Sequence, residues 1–193
     1  MKVLVACEFS GKVRDAFSRR GHDAWSCDLL PTEEPGNHIV GDVLGILKDG
    51  WDLMVAHPPC TFLTVAANKW VNHPRFPNRR ADIEDAVNFF MALWHAPIRK
   101  IAIENPIGIM SSRLRKPNQV IQPWMFGHAE TKATCLWLKG IPKLAWIAKT
   151  PLPPEKAKAQ RLHYLPPSKD RAKIRSITFD GIAEAMGGAM GVL

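Results

Sequence analysis

The sequence predicts a mixed α/β fold with a mostly parallel central sheet. The chain opens with a strand, a turn, a helix and a second strand, and two later apolar runs each stop at a short polar segment that contains proline. Strands of parallel sheets are buried on both faces and form continuous apolar runs, and ligands of open α/β sheets bind beyond the carboxyl ends of the strands. The residues that follow each strand are therefore the candidates for a functional site.

The composition is that of a globular protein. Of 193 residues, 46% are apolar and 23% are charged, which is enough for one domain with a core. No apolar run approaches the ~20 residues that span a bilayer. The N-terminal stretch is too short for a signal peptide. We therefore expect a cytoplasmic protein with no membrane partner.

The net charge and the cysteine positions indicate which partners and which kinds of site this protein has. Lysine and arginine outnumber aspartate and glutamate by 26 to 18, a formal net charge of +8. Such an excess suits a polyanionic partner, of which nucleic acid is the commonest. The four cysteines, at positions 7, 27, 60 and 135, include no Cys-x-x-Cys pair, which argues against a zinc ribbon and against a disulfide framework. We expect reduced thiols and no metal site.

The first 28 residues predict a strand–turn–helix–strand unit. Lys2–Cys7 is an apolar, β-branched run, and Lys12–Arg20 carries apolar residues at helical spacing. Gly21 is expected to end that helix in the C′ position. Asp23–Cys27 is the second strand, and Asp28 follows it.

This unit favours a nucleoside cofactor. Gly11 permits close approach to the backbone, the helix N-terminus offers N–H groups, and Asp28 can accept from both ribose hydroxyls. Glu8-Phe9-Ser10-Gly11 has one glycine where the dinucleotide fingerprint has three, so a cofactor without phosphates fits better, and S-adenosyl-L-methionine is the common one. His38–Val43 is expected to be a short strand whose Asp42 either accepts from an adenine amino group or caps a turn or helix.

A candidate nucleophile follows the apolar strand Leu53–Ala56. Pro58-Pro59 stops this strand because proline lacks an N–H and has a fixed φ, so Cys60 is held on a stiff loop past the strand's carboxyl end. Covalent catalysis needs a nucleophile held in an attack geometry. The alternative is a small buried thiol that fills a gap under a proline turn.

The same design recurs after the strand Lys100–Ile103, which is followed by Glu104-Asn105-Pro106. A carboxylate at a strand end beside a nucleophile is suited to protonating a ring nitrogen. Between the two strands, Asp82–His95 predicts an amphipathic helix whose apolar face packs on the core.

Polar and basic segments make up much of the remaining chain. Residues 66–81 are expected to be a basic and aromatic loop that covers the cofactor as a lid, contacts phosphates or forms a solvated surface. Residues 111–130 are expected to be a polar loop. Thr131–Lys139 alternates and predicts a strand. Pro142–Asp170 is rich in proline and lysine and predicts little regular structure, whereas Gly181–Met190 predicts a closely packing helix of small residues.

Three strand-end motifs, in this order, resemble those of the cytosine-C5 DNA methyltransferases. They are Phe9-Ser10-Gly11 with Asp28, then Pro58-Pro59-Cys60, then Glu104-Asn105-Pro106. The chain is more closely similar to the short methylase-like proteins of bacteriophage genomes, through His57–Thr64, Ile101–Pro106, Gln122–Gly140 and Leu165–Met186. The resemblance implies the Rossmann-like fold of class I S-adenosylmethionine-dependent methyltransferases, one catalytic domain over residues 1–193, and the cytoplasm of a bacterial host if the gene belongs to a phage.

The resemblance also implies covalent chemistry on cytosine. Cys60 would attack C6 while Glu104 protonates N3, and C5 would take the methyl group of S-adenosyl-L-methionine. Asn105 would hold the loop, and Lys132 stands where the family places a basic residue near the cytosine carbonyl. The positions that match the family's cofactor site are Cys7, Glu8, Phe9, Ser10, Gly11, Asp28, Leu29, Asp42, Val43 and Pro58. The candidates for phosphate contacts are Arg75, Arg79, Arg80, Arg113, Arg115 and Lys116.

The chain departs from the family at residues 141–172, a proline- and lysine-rich segment too short for the usual target-recognition domain. We therefore expect loose or short sequence preference on DNA, with the base flipped out or single-stranded, and a homodimer or helper protein as a means of recognition. Two alternatives stay open: the same chemistry on a free cytosine nucleotide or with another one-carbon donor, and a DNA-binding relic without turnover. Methylation of an exocyclic nitrogen is disfavoured, because that chemistry places a polar and an aromatic residue around Pro-Pro and this chain has His57 and Cys60.

Overall fold

A computed structural model describes residues 1–65, 70–146, 161–162 and 164–191. Within these ranges the strands are β1 (Lys2–Ala6), β2 (Asp23–Asp28), β3 (His38–Val40), β4 (Leu53–Ala56), β5 (Lys100–Pro106), β6 (Gln119–Ile121) and β7 (Thr134–Lys139). The α-helices of the same ranges are α1 (Lys12–Ser18), α2 (Arg79–Trp94), α3 (Met110–Arg113), α4 (Arg171–Ser176) and α5 (Asp180–Met190). Two 3-10 turns lie at Val43–Ile46 and Pro123–Phe126.

The seven strands form one sheet in the order β3-β2-β1-β4-β5-β7-β6. Strands β1 to β5 are parallel, and β7 runs antiparallel to both β5 and β6. The predicted mixed α/β, Rossmann-like fold with a mostly parallel sheet is confirmed. Strand β1 lies between β2 and β4, so the chain order reverses there, and the crevice above such a reversal is where open α/β sheets bind ligands.

The core lies on both faces of the sheet. Alternate residues of β1 point to opposite sides: Leu4 packs in a cluster with Phe90 of α2, and Val5 packs in a cluster with Phe17 of α1 and Met186 of α5. Helices on both faces explain why the central strands are continuous apolar runs, as the sequence predicted.

Several element boundaries differ from the predictions. Helix α2 begins at Arg79, three residues before the expected start, so Arg79 and Arg80 are helical and do not belong to a loop. Strand β3 ends at Val40, because Asp42 caps the following 3-10 turn. Helix α1 ends at Ser18, and Gly21, with φ near +81°, lies two residues past the cap residue Arg19.

The second half of the sheet contains more structure than predicted. Strand β5 continues through Glu104 and Asn105 to Pro106, because β7 pairs with it over this whole length. Strand β7 begins at Thr134, so Lys132 precedes the strand. The expected loop 111–130 holds the end of α3, strand β6 and a 3-10 turn. Most of the predicted irregular segment Pro142–Asp170, and residues 66–69, lie outside the described residues. No helix in the described part of the chain is long and apolar enough to cross a membrane.

Candidate active site

Two neighbouring parallel strands bring the predicted nucleophile and acid to one edge of the sheet. Ala56 of β4 pairs with Ile103 of β5, so the next residues, His57 just past β4 and Glu104 within β5, lie side by side. The backbone N–H of His57 donates to Ala6 O at 2.9 Å, which extends the β1–β4 pairing by one residue. The parallel register of β4 and β5 therefore fixes the positions of His57 and Glu104 relative to each other.

The loop that carries Cys60 is tied down from both sides. The Asn105 side chain is 2% exposed, and its Nδ2 donates to Pro58 O at 3.0 Å. The backbone N–H of Leu63 returns to Cys60 O at 3.0 Å, closing a tight turn. A Cβ at Gly108 would lie 1.9 Å from Leu63 O, so only glycine allows the segment after β5 to lie against this turn. These contacts agree with the predicted stiff loop, and Gly108 is a part of it that the sequence did not reveal.

Cys60 is a half-buried thiol among charged groups. Burial, and then the negative charge of Glu104, raise the pKa of Cys60 above 9.0, while Lys132 and Arg175 act in the opposite direction. At neutral pH the group is therefore a thiol. A nucleophilic attack by Cys60 requires a neighbouring group that accepts its proton.

Glu104 forms a buried pair with His57. His57 Nδ1 lies 2.7 Å from Glu104 Oε2, and the two side chains are 9% and 15% exposed. Burial raises the pKa of Glu104, but the hydrogen bond and charge of His57, with a smaller effect of Lys132, outweigh it and hold the pKa below its ordinary value. Burial lowers the pKa of His57, and its hydrogen bond and attraction to Glu104 outweigh that effect, so its pKa is raised. Glu104 is therefore a carboxylate at neutral pH, and the pairing favours the protonated form of His57.

Lys132 reaches the same edge from the other direction. Its backbone N–H donates to Gln122 Oε1 at 2.9 Å, and its Nζ donates to the backbone oxygen of Arg175 at 2.8 Å. The charge of Lys132 acts on both Cys60 and Glu104. A small cavity lies between this edge and the start of α5 and is lined by Glu104, Lys132, Thr134, Thr178, Phe179 and Ile182. Hydrogen bonds and mutual charge effects thus link the four residues predicted to be catalytic at one edge of the sheet.

Three residues of the predicted cofactor site meet beyond β1, β2 and β3. Cys7 has a left-handed backbone with φ near +58°. Burial, and then the charges of Asp28, Cys27 and Asp42, raise the pKa of Cys7 to about 12, so it stays a thiol. Both carboxylates therefore lie close to the end of β1. The structure brings these residues together, next to the Cys60 edge and across the chain reversal.

Each of the two acids holds a turn with one oxygen. Asp28 Oδ1 accepts from Leu30 N at 2.9 Å, and Asp42 Oδ1 accepts from Leu44 N at 2.9 Å. Asp42 therefore caps the 3-10 turn, which is one of the two predicted alternatives. The cap uses Oδ1 and does not involve Oδ2. Leu29 beside Asp28 is 74% exposed and Leu44 is 41% exposed, so apolar surface flanks both acids.

The turn after β1 binds its own helix. The buried Glu8 carboxylate accepts from Val13 N at 2.7 Å and from Arg14 N at 3.1 Å, and Ser10 Oγ donates to it at 3.3 Å. The expectation that the N-terminus of α1 offers its N–H groups to a ligand is therefore wrong. A Cβ at Gly11 would lie 2.6 Å from an Arg14 guanidinium nitrogen, so the open side of this glycine faces arginine.

Arg14 is an organising residue that sequence reasoning missed. Its side chain is 1% exposed and lies inside the loop between β2 and β3. The guanidinium donates to Asp15 Oδ1 at 2.8 Å, to Ser26 Oγ at 3.2 Å, and to the backbone oxygens of Glu34 and Pro35 at 3.0 and 3.1 Å. The sequence signal for its burial was the position of Arg14 among the apolar residues Val13, Ala16 and Phe17 of α1.

The remaining predicted cofactor residues are largely covered. Phe9 is 8% exposed, and Lys173 Nζ of α4 lies 5.4 Å from the centre of its ring. Lys173 also pairs with Glu33 at 2.6 Å, so α4 lies across this turn. Val43 is part of the core and Pro58 is buried, with its oxygen bound by Asn105.

The basic side chains predicted to contact phosphates fall into two groups. The Arg79 guanidinium lies 4.6 Å from the centre of the Phe62 ring, two residues after Cys60, and Arg75 lies 5.8 Å from the Phe76 ring. Arg80 donates to Asn72 Oδ1 at 2.8 Å. Arg79 of this first group therefore lies beside the Cys60 loop.

The second group makes contacts with other parts of the chain or is exposed. Arg113 pairs with Glu84 of α2, and Lys116 is exposed. Arg115 donates to Leu138 O at 3.0 Å and lies 5.1 Å from the ring of Trp94. Because Trp94 ends α2 and leads into the start of β5, Arg115 lies toward the opposite end of the sheet from Cys60. The structure does not bring Arg115 to the site.

Comparisons with known proteins yield structural neighbours only. No protein-family model and no curated protein matches the chain. Among solved structures, an E. coli prophage protein assigned as a DNA modification methyltransferase is 12% identical with a TM-score of 0.44, over 80% of this chain and 51% of that one. The Dnmt2 methyltransferase of S. pombe is 16% identical with a TM-score of 0.46, over 87% of this chain and 60% of that one. The chain spans about half to three-fifths of the length of these neighbours.

Proposed function

We propose that this protein is an S-adenosyl-L-methionine-dependent methyltransferase that acts on C5 of cytosine in DNA through a covalent adduct on Cys60. The observation that carries the proposal is the convergence of Cys60, Glu104 and Lys132 on one edge of the sheet, beside the acids Asp28 and Asp42. A thiol, a carboxylate and an ammonium at one point suit the addition of a nucleophile to a ring that must be polarised.

The chain's own residues support the following steps. The sulfur of Cys60 forms a bond to C6 of cytosine, and the ring electrons move toward N3, which takes a proton through Glu104. Lys132 is positively charged and is held by the oxygen of Arg175, so it can stabilise charge on the cytosine carbonyl. When bound, S-adenosyl-L-methionine supplies the methyl group for C5. A base then removes the C5 proton, the ring expels the sulfur of Cys60 as a thiolate, and N3 gives up the proton that it took, which leaves neutral 5-methylcytosine.

The residues beyond β1, β2 and β3 fit a nucleoside cofactor that lacks phosphates. Asp28 and Asp42 provide carboxylate oxygens for hydroxyl or amino groups, and exposed Leu29 and Leu44 provide apolar contact for a base. The N–H groups of Val13 and Arg14 are occupied by the Glu8 carboxylate, which disfavours a phosphate at that helix N-terminus. S-adenosyl-L-methionine, which has no phosphate, is consistent with both features.

DNA is the proposed substrate because the chain is strongly basic and carries an arginine beside the loop of its nucleophile. The net charge is +8, and Arg79 packs against Phe62 close to Cys60. We further propose that residues 141–172 stand in place of a target-recognition domain within a single catalytic domain. The target base must then be flipped out or presented in a single strand.

The decisive experiment traps the covalent adduct. Protein and S-adenosyl-L-methionine are incubated with duplex or single-stranded DNA that contains 5-fluorocytosine, whose fluorine prevents the final elimination. We expect a denaturation-stable adduct that maps to Cys60, requires the cofactor, disappears in Cys60→Ser and persists in Cys135→Ala, which alters a buried cysteine of β7.

Other outcomes separate the alternatives. An adduct with 5-fluoro-dCMP but with neither form of DNA would replace the DNA substrate with a free nucleotide. Trapping that requires a one-carbon donor other than S-adenosyl-L-methionine would replace the cofactor. If no substrate is trapped and Cys60→Ser binds DNA as wild type does, the enzyme proposal fails and a non-catalytic DNA-binding role takes its place.

A further inference from the structure

His57 is held next to Glu104 but has no role in the reaction steps proposed above. Its backbone is fixed by the bond to Ala6 O, and Pro58 follows it. Its ring makes one hydrogen bond among the described residues, from Nδ1 to Glu104, and its Nε2 is buried without a partner there. The imidazole therefore has no described partner that competes with Glu104.

Charged and titratable groups from four parts of the chain face this pair. Glu104 comes from β5, Glu8 from the turn after β1, Lys132 from the segment before β7, and Cys60 from the loop that His57 begins. Lys132 opposes the protonation of His57, and the two glutamates favour it. The pair is thus the centre of the charge arrangement around Cys60.

We propose that His57 is a positioning residue that holds Glu104 as a carboxylate, so that Glu104 takes the proton of the Cys60 thiol and delivers it to N3 of cytosine. This inference rests on the proposed function. It differs from a role in which Glu104 enters the reaction already protonated.

The transfer balances without an outside acid or base. The S–H bond of Cys60 breaks and its proton passes to the Glu104 carboxylate, while the sulfur pair forms the bond to C6. The ring pair moves to N3, and the proton leaves Glu104 for N3. The sum is addition of the thiol across C6 and N3, and Glu104 returns to a carboxylate paired with His57.

Among the described residues whose charges act on Cys60, the alternatives to Glu104 are cations. Lys132 and Arg175 carry protons and cannot accept another, so they stabilise a thiolate without removing its proton. Burial alone favours a neutral Glu104, which could donate to N3 but could not accept from Cys60. His57 supplies the largest of the hydrogen bonds and positive charges that reverse this preference, to which Lys132 and Thr134 also contribute.

The test is the pH dependence of adduct formation with 5-fluorocytosine DNA in wild type and His57→Asn. Without the imidazolium the pKa of Glu104 rises, so the acid limb of the rate should move upward by ~1–2 pH units, the size of a charge-assisted hydrogen bond. The rate at the alkaline plateau should stay close to that of wild type. His95→Asn, which alters an exposed histidine after α2, should leave the profile unchanged.

Two results overturn the inference without touching the proposed function. A loss of rate in His57→Asn that is equal at all pH values would mean a structural role, and an unmoved acid limb would mean no role in the protonation of Glu104. Nitrogen-15 NMR of histidine-labelled protein gives a readout that needs no turnover: His57 should titrate above 6.5, and Glu104→Gln should lower its pKa. If His57 titrates above 6.5 but no cytosine substrate is trapped on Cys60, the proposed function itself fails. His57 and Glu104 are then only a buried ion pair.

Discussion

Replacing Asn105 with alanine tests whether the Cys60 loop is held by its tie to β5. The change removes the 3.0 Å bond from Nδ2 to Pro58 O and leaves that oxygen without this donor, which typically costs ~1–3 kcal/mol of folding free energy. Asn105 Oδ1 is itself buried without a partner in the described residues, so its removal recovers part of the cost. We expect a loss of about 2 kcal/mol, or ~4–8 °C in Tm for a chain of this size.

The same variant should slow adduct formation more than it slows simple alkylation. A misplacement of about 1 Å costs roughly 10²-fold in a reaction that needs alignment, whereas iodoacetamide reaches Cys60 without it. Scanning calorimetry gives the Tm, and the rates of adduct formation and of alkylation are measured for the same protein. The control variant is Asn78→Ala, because Asn78 is exposed and its side chain makes no cap hydrogen bond. Its stability should change by no more than ~0.5 kcal/mol. If Asn105→Ala matched Asn78→Ala in both Tm and adduct rate, the tether would have no role in holding the loop.

Three further predictions follow from the charges around the site. Iodoacetamide should label Cys60 with a midpoint above pH 9.0, and it should leave Cys7, whose pKa is about 12, unlabelled at pH 9. Peptide mass spectrometry measures the labelling of both cysteines. Equal labelling of the two would contradict the raised pKa of Cys7. Glu104→Gln removes a negative charge and should lower the Cys60 midpoint, while Lys132→Met removes a positive charge and should raise it, so the reverse order would refute the charge arrangement. Glu8→Gln weakens the carboxylate cap of α1 and should cost about 1–2 kcal/mol, or ~2–8 °C in Tm, whereas weaker cofactor binding at unchanged Tm would indicate a direct contact instead.

The sequence predicted the elements whose patterns are long and whose ends are marked. Leu53–Ala56 is apolar and stops at two prolines, and its bounds agree with β4. Strand β6, Gln119–Ile121, was missed because three residues form no period and its stability comes from pairing with β7. The extension of β5 through Asn105 was missed for the same reason, since it depends on a partner strand 30 residues away.

Side-chain partners inside the site were harder to predict than their locations. His57 and Glu104 each follow an apolar strand, so adjacent parallel strands in register would have placed them together, but the sequence does not state that β4 and β5 are neighbours. Glu8 was expected at the cofactor, and it caps α1 because its backbone turn directs the carboxylate at Val13 and Arg14. The sequence cannot decide between a carboxylate that binds a ligand and one that binds its own helix.

The antiparallel strand β7 explains how three distant segments form one site. In a parallel sheet the residues that follow strands share an edge, and this rule brings Cys60 and Glu104 together. Because β7 runs the other way, the residues that precede it reach the same edge, and Thr134 at its start pairs with Pro106 at the end of β5. The charge of Lys132 can therefore act on a nucleophile 72 positions earlier, because strand direction brings both residues to one edge of the sheet. A parallel β7 would have carried Lys132 to the opposite end of the sheet, and the thiol would have lost the cation that opposes the charge of Glu104.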